Sequence, residues 1–407
     1  MIAPEPFFEP RGTPFSEFHR IRALTQLGHQ VDLVTYPFGV DVTLPGLRIF
    51  RCLRPPLIRS IGVGPSIAKL PLDFFLTLSV LRRALTERYD AVHSHEEGGL
   101  IGVVLAAALR VPHLYDMHSS LPQQLTNFAF SRSRITRRVF LTIERLMIRR
   151  SRVVIVICPT LEETVRAIDP GARTVLIENA PGSVDGEATA EQASAIRRRY
   201  GFSDATPVVL YTGTFEAYQG LDLLFDAFAI VRAARPDVRL LLAGGKSDQV
   251  ARARERVAAV GIDDAVVFAG ERPAEEVPAY LRAADVLVSP RSRGTNTPLK
   301  IYQYLRSGKP IVATRLVTHT QVLSDDTAIL TGASATEFAN GILTALNDRR
   351  LAGDIGRQAR ELADRKYSYE AYLERTRQAC SALAKTADGL QYAATESPAP
   401  YKYKDLV

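Results

Sequence analysis

Short runs of β-branched and aliphatic residues alternate with stretches of helical periodicity along nearly the whole chain, and the alternation is run through twice. Val31 to Tyr36, Leu47 to Leu53, Ala91 to His95, His113 to Met117 and Val153 to Cys158 read as strands. After Pro207 the order resumes with Val208 to Thr212, Arg239 to Ala243, Val266 to Ala269, Val286 to Ser289 and Ile311 to Thr314. Strands joined through helices run parallel, and a parallel sheet buries both its faces under those helices. Two successive sets therefore predict an α/β chain of two doubly wound domains. A length of 407 residues, too great for one hydrophobic core, agrees with two.

The join is expected at Glu178-Asn179-Ala180-Pro181-Gly182, where a strand ends in turn-forming residues. This gives a first domain over residues 1–181 and a second over 182–368. Further helical patterns run through Ser334 to Asn347, Ala352 to Asp364 and Tyr369 to Leu383. Beyond Lys385 the chain turns polar, with Pro398 and Pro400, and residues 386–407 are expected to form a flexible tail. Only Met1-Ile2-Ala3 precedes Pro4, whereas buried strands usually have about 5–6 residues, so β-forming residues are expected upstream of Met1.

Composition excludes several classes. With 46% apolar and 23% charged residues the chain is neither low-complexity nor a disulfide scaffold. Leu100 to Leu109, the longest weakly polar run, is about half of the ~20 residues that span a bilayer. The start lacks the pattern of a secretory signal, which places the chain in the cytoplasm. Cys52, Cys158 and Cys380 are unpaired in spacing and read as reduced core thiols. The net charge of +7 is concentrated in residues 1–183, with 22 Arg or Lys against 16 Asp or Glu. Much of it lies between Ser131 and Arg152, where eight arginines face Glu144 alone and Ile135, Val139, Ile143, Leu146 and Met147 recur at helical spacing. Such a helix presents either a solvated charged face or a peripheral contact with anionic membrane, each suitably placed basic residue adding about 1 kcal/mol. No aromatic-interleaved or recognition-helix pattern accompanies the charge, which argues against nucleic acid.

In open parallel sheets, ligands settle beyond the carboxyl ends of the strands. The first such loop, Pro10-Arg11-Gly12-Thr13-Pro14, offers Gly12 for close backbone approach and Thr13 then Pro14 as a helix N-cap and first turn. The segment Arg291-Ser292-Arg293-Gly294-Thr295-Asn296-Thr297-Pro298-Leu299-Lys300 follows a strand and opens a helix with Lys300 in its first turn. A cation is disfavoured there, because the helix dipole is already positive, so its presence points to a bound phosphate. Gln303 lies three residues on, on the same helix face. His118 and Ser119 end the strand around Leu114-Tyr115-Asp116-Met117. His93, His95, Glu96 and Glu97 end another, but without the spacing of a metal site, and no metal is expected.

These residues resemble the family-4 glycosyltransferases of the GT-B fold over nearly the whole chain. The resemblance is carried by Leu27-Gly28-His29-Gln30-Val31, the strand into His118, the Glu178 to Gly182 join, and above all Leu299-Lys300-Ile301-Tyr302-Gln303-Tyr304-Leu305-Arg306-Ser307-Gly308-Lys309-Pro310-Ile311-Val312-Ala313. It implies two Rossmann-like domains facing across a cleft, with a final helix, 369–385, crossing back to the first domain. It also implies a nucleotide-diphosphate sugar held mostly by the second domain, a glycan or lipid-linked acceptor held mostly by the first, and transfer with retention of anomeric configuration. Surface-glycan or glycolipid assembly is the expected setting.

The matches come with departures. Thr295 and Gln303 stand where family members commonly carry two Glu, and Thr214 and Gln219 where they carry Arg and Lys on the pyrophosphate. Fixed positive groups are needed opposite a departing diphosphate when no metal serves, and no Asp-x-Asp motif is present. Lys300 and Arg293 are the expected catalytic cations, beside His118 positioning the transferring sugar. Gly12, Gly213, Thr214, Gln219, Lys246, Arg272, Arg291, Thr295, Asn296, Thr297 and Gln303 are expected on the donor, and Arg11, His95 and Ser119 on the acceptor. No cofactor is expected beyond the donor. Two other functions fit the fold: a non-catalytic binding or scaffold protein, favoured by the four replacements, and a nucleotide-sugar epimerase, for which no acid and base pair flanking the sugar is assignable.

Overall fold

The computed structural model describes residues 1–8, 12–56, 58–59, 61, 66–122, 133–178 and 187–384. The chain divides into two compact units, Met1–Val184 with Tyr369–Val407, and Asp185–Ser368. The first carries a sheet of seven strands: β1 Ile2–Ala3, β2 Val31–Thr35, β3 Leu47–Arg51, β4 Val92–His95, β5 His113–Met117, β6 Val153–Val156 and β7 Thr174–Leu176. The second carries six: β8 Val208–Thr212, β9 Arg239–Ala243, β10 Val266–Gly270, β11 Val286–Ser289, β12 Ile311–Thr314 and β13 Ile329–Thr331. Every pairing is parallel. Runs such as Val153-Val154-Ile155-Val156, buried throughout, suit strands covered on both faces. β7 is the strand expected to end at the Glu178 join, though without bounds there, and β13 is not among the strands read from the sequence. Each has three residues, only partly buried, too few for a periodicity to register.

Strand orders β3-β2-β1-β4-β5-β6-β7 and β10-β9-β8-β11-β12-β13 share one logic. The chain winds outward from a central strand, then returns to wind outward on its other side. The order therefore reverses between β1 and β4, and again between β8 and β11. At each reversal the connections leave in opposite directions and open a crevice at the carboxyl ends of the strands, which is where open α/β sheets take ligands.

In the first unit the helices Lys69–Thr86, Gly98–Leu109, Arg134–Arg150 and Pro159–Ile168 lie side by side in one layer. Tyr115, Met117, Val154 and Val156 face Met147, Ile148 and Leu161 of that layer. The alternate positions Leu114, Val153 and Ile155 pack instead with Ala23 of the Gly12–Gln26 helix and with Tyr372 and Ala379 of the Tyr369–Ala384 helix. The period-two alternation of strand side chains thus sends the last helix of the chain to the opposite face of the first sheet. Arg20 donates from there to the Thr376 hydroxyl (3.1 Å) and Tyr369 to Gln26 (2.5 Å). Cys52 and Cys158 are buried, Cys380 is partly so, and all three are free thiols.

Candidate active site

In the second unit the loops after β8, β9, β10 and β11 converge at the sheet's reversal. Gly213, φ 129°, follows β8, and a Cβ there would stand 3.2 Å from the Lys300 ammonium. Gly244, after β9, is as tight: a Cβ would lie 2.0 Å from the Gly213 carbonyl oxygen, so only glycine lets the two loops meet. Gly220 abuts the Pro290 carbonyl, and Ser292 N–H donates to Tyr218 O (3.0 Å), joining the β8 loop to the β11 loop.

Lys300 opens the Lys300–Ser307 helix, two residues later than the Thr297-Pro298 signal implied, because Leu299 takes the cap position without a side-chain bond. The side chain is 7% exposed, and its ammonium has no hydrogen-bond partner among the described residues. It lies 3.7 Å from the centroid of the Tyr211 ring, a cation–π contact that leaves its donors unused. Burial, reinforced by nearby Arg291, pushes its pKa well below the ordinary lysine value. A helix start, two glycine loops and an uncompensated ammonium together form a cradle for an anion.

The other cations expected on the donor divide into two kinds. Arg291 donates to the carbonyls of Arg293 (2.8 Å) and Asn296 (3.1 Å) and stacks over Tyr218, so its guanidinium braces its own loop. Arg272 is spent likewise on the Ala269 carbonyl (2.9 and 2.5 Å). Arg293 and Lys246 are exposed. Gln219 is buried, and among the described residues neither its side-chain oxygen nor the buried Thr297 hydroxyl has a hydrogen-bond partner. Thr214 is exposed, its carbonyl accepting from the Tyr211 hydroxyl (2.7 Å). Thr295 approaches Asn296 (3.5 Å), its carbonyl accepting from Gln321 (2.8 Å), and Gln303 is half-buried on the helix.

The crevice of the first unit is built around a carboxylate that the sequence did not single out. Asp116, fully buried in β5, accepts from Arg20 Nε (2.9 Å), and His118 Nε2 lies 3.2 Å from its other oxygen. His93 Nε2 and His95 Nδ1 approach at 3.4 and 3.9 Å. Burial opposes ionisation of Asp116, but Arg20, His118 and His95 outweigh it and hold the carboxyl well below its usual range. Burial also lowers His93 and His95, against the opposing pull of Asp116. His93, His95 and Asp116 bring potential metal-ligating atoms within 4.8 Å of one another, although the Arg20 guanidinium already neutralises the carboxylate. The Ser119 hydroxyl donates to both oxygens of Glu96 (3.1 and 3.0 Å), whose pKa burial raises well above normal.

Gly12, exposed at φ 56°, begins the first helix, so Thr13 lies inside it and not at its cap. A Cβ at Gly12 would meet nothing within 4 Å, leaving open space there. Arg11 lies outside the described residues. Signals for Asp116 and Arg20 existed in the sequence: an acid within an apolar strand, and an arginine among Phe18, Ile21 and Leu24 on a buried helix face. Their pairing across 96 residues had none.

Residues 19–180 match the family model described as Glycosyl transferase 4-like domain, and residues 206–348 that of Glycosyl transferases group 1. Together the matches take in well over half of the chain, which belongs to the glycosyltransferases of the GT-B fold. Mannosylfructose-phosphate synthase of Agrobacterium fabrum is 28% identical over 335 residues, covering 72% of this chain and 68% of that protein. Sucrose-phosphate synthase of Thermosynechococcus elongatus superposes with a TM-score of 0.76 at 23% identity, over 94% of this chain and 98% of that one. HepE of Anabaena, solved in complex with UDP-glucose, superposes at 0.72 with 18% identity, over 93% and 98%. At these identities the two structures share the fold. Among the described residues no helix is long and apolar enough to cross a membrane.

Proposed function

We propose that the chain moves a sugar, with retention of anomeric configuration, from a nucleotide-diphosphate sugar to a glycan or lipid-linked acceptor, without a metal or further cofactor. The observation that carries this reading is Lys300, a buried ammonium at the sheet reversal of the second unit with no counter-ion among the described residues. A diphosphate supplies the missing charge and restores the lysine's ordinary protonation. Its negative charge grows as the glycosidic bond to the donor breaks, so a fixed cation there stabilises the transition state more than the ground state. The UDP-glucose complex of HepE, a relative in fold, is in keeping with a nucleotide-sugar donor.

In this reading Gly213, Gln219 and Thr297 line the donor, and the exposed Arg293 closes on it. His118, oriented by Asp116, hydrogen-bonds the transferring sugar, and His95 and Ser119 serve the acceptor. The arginine-rich helix Arg134–Arg150 draws the first unit to an anionic membrane surface, as suits a cytoplasmic enzyme of surface-glycan or glycolipid assembly.

Titration calorimetry with nucleoside diphosphates and their sugars, alongside assay of released nucleotide, tests the reading. Saturable binding that falls about 100-fold in Lys300→Met, with turnover of at least one donor, is expected. Binding with no hydrolysis or transfer would favour the scaffold alternative. Equal binding by Lys300→Met would remove the diphosphate from this site.

A further inference from the structure

We propose that the outer face of the Lys69–Thr86 helix is an apolar keel that enters the interfacial layer of an anionic bilayer, beside the arginines of the Arg134–Arg150 helix. The proposal rests on the membrane contact read from that arginine helix and adds what charge alone does not provide, an inserted hydrophobic element.

The Lys69–Thr86 helix is apolar nearly all round, a pattern found in helices covered on every side. Its inner face meets that expectation: Leu72, Leu76 and Val80 are buried against the sheet. Its outer face does not. Leu70, Phe74, Leu78, Leu81 and Leu85 follow one another at spacings of three and four, and all are exposed, Phe74 at 60% and Leu85 at 88%. Scattered exposed leucines need no explanation, but a continuous stripe of five calls for an occupant.

The neighbouring helices continue the stripe. The Gly98–Leu109 helix, packed beside it, carries no charged residue and exposes Val104. Next in the layer, the Arg134–Arg150 helix exposes Ile135, Val139 and Leu146 on the side opposite its buried Glu144 and Ile148. The three helices carry only two carboxylates, and neither is turned outward to solvent. Glu144 is buried, bonded to the Ser120 hydroxyl and the Leu121 N–H, and Asp73 accepts from the Tyr36 hydroxyl (2.5 Å). Exposed charge on these three helices is therefore positive: Arg82, Arg134, Arg137, Arg138, Arg145, Arg149 and Arg150.

An apolar ridge on helices that carry arginines and no exposed acid matches the headgroup and acyl boundary of anionic lipid, where arginine stems lie along apolar surface and their heads reach phosphate. A second copy is a poor occupant. A two-fold contact sets each patch against itself, and here it would oppose arginine to arginine without a carboxylate between them.

Flotation of the purified chain with vesicles of phosphatidylcholine, with or without phosphatidylglycerol, tests the proposal at low and high salt. Charge-driven attachment fades as salt shortens the Debye length, whereas apolar insertion persists. The expected result is binding to the anionic vesicles with a salt-resistant share. Phe74→Ser with Leu78→Ser removes that share, lowering high-salt partitioning at least tenfold, about 1.4 kcal/mol. Arg137→Gln with Arg138→Gln and Arg145→Gln removes the salt-sensitive share instead. Since the chain has no tryptophan, Phe74→Trp provides a single reporter, expected to shift to the blue and resist aqueous quenchers on anionic vesicles. No flotation at low salt overturns the arginine-helix contact and the keel together. Low-salt flotation with high-salt partitioning unchanged by Phe74→Ser and Leu78→Ser overturns the keel alone. So does a dimer in solution that those serines disperse, which would give the stripe to a second copy.

Discussion

Each unit buries a charge at the reversal of its sheet, but the two charges are treated differently. Asp116 in the first unit meets Arg20 at 2.9 Å and His118 at 3.2 Å, so its charge is paired within the protein. Lys300 in the second has only an aromatic ring at 3.7 Å and no anion among the described residues. A buried charge whose partner comes from its own chain stabilises geometry, because removing either member strands the other. A buried charge left without a partner carries a desolvation cost that a ligand of opposite sign can offset. In the proposed function, the first crevice serves positioning and the second captures an anion.

The contrast is sharpest when each charge is deleted. Asp116→Ala is expected to lower unfolding free energy by about 3–5 kcal/mol in urea titration, because it leaves Arg20 buried and unpaired. Lys300→Met should move stability the other way, raising it by about 1 kcal/mol or more despite loss of the Tyr211 contact, while nucleotide binding collapses. A loss of stability in Lys300→Met would break the distinction between the units. Gly213→Ala should cost about 1–3 kcal/mol and weaken nucleotide binding together, since an alanine at φ 129° is strained and its methyl approaches the ammonium. The Gly12→Ala change, with open space in place of a neighbour, should cost less in the same assay.

The smallest effect per step concerns pH. Burial raises Glu17 to about 8, although a hydrogen bond from Glu5 and the charge of the Met1 amino group pull it down, and Asp116 nearby adds to the rise. Folded protein then holds a proton that the unfolded chain releases above the ordinary value of 4.5. Stability should accordingly fall as pH rises from 4.5 toward 8 and level off above, by at most about 1.4 kcal/mol per pH unit for this proton. Glu17→Gln should flatten that slope in thermal melts across the window; an unchanged slope would show the carboxyl ionised when folded.

Much of the architecture was legible in the chain. Ten strands were placed from apolar runs, and the two-domain doubly wound fold followed from their alternation with helices. Lys300 was singled out because a cation at a helix start contradicts the dipole, a local conflict that needs no tertiary knowledge to notice. Arg291 and Arg272 were expected on the donor beside it. Their engagement with loop carbonyls depends on backbone conformation that residue types do not specify. The exposed stripe of the Lys69–Thr86 helix escaped attention for a related reason: an apolar helix reads as buried until the neighbours on each side are known.

By itself, then, the sequence determined element types, their parallel arrangement and the loops at strand ends, because periodicity and helix-end chemistry act over a few residues. Only the tertiary structure decided which charges acquire partners. Arg20 reaches Asp116 and Thr376 across separations of 96 and 356 residues, and among the described residues no counter-ion arrives beside Lys300. Desolvation and Coulomb energy depend on distance and burial in space, and neither is written in the order of the residues.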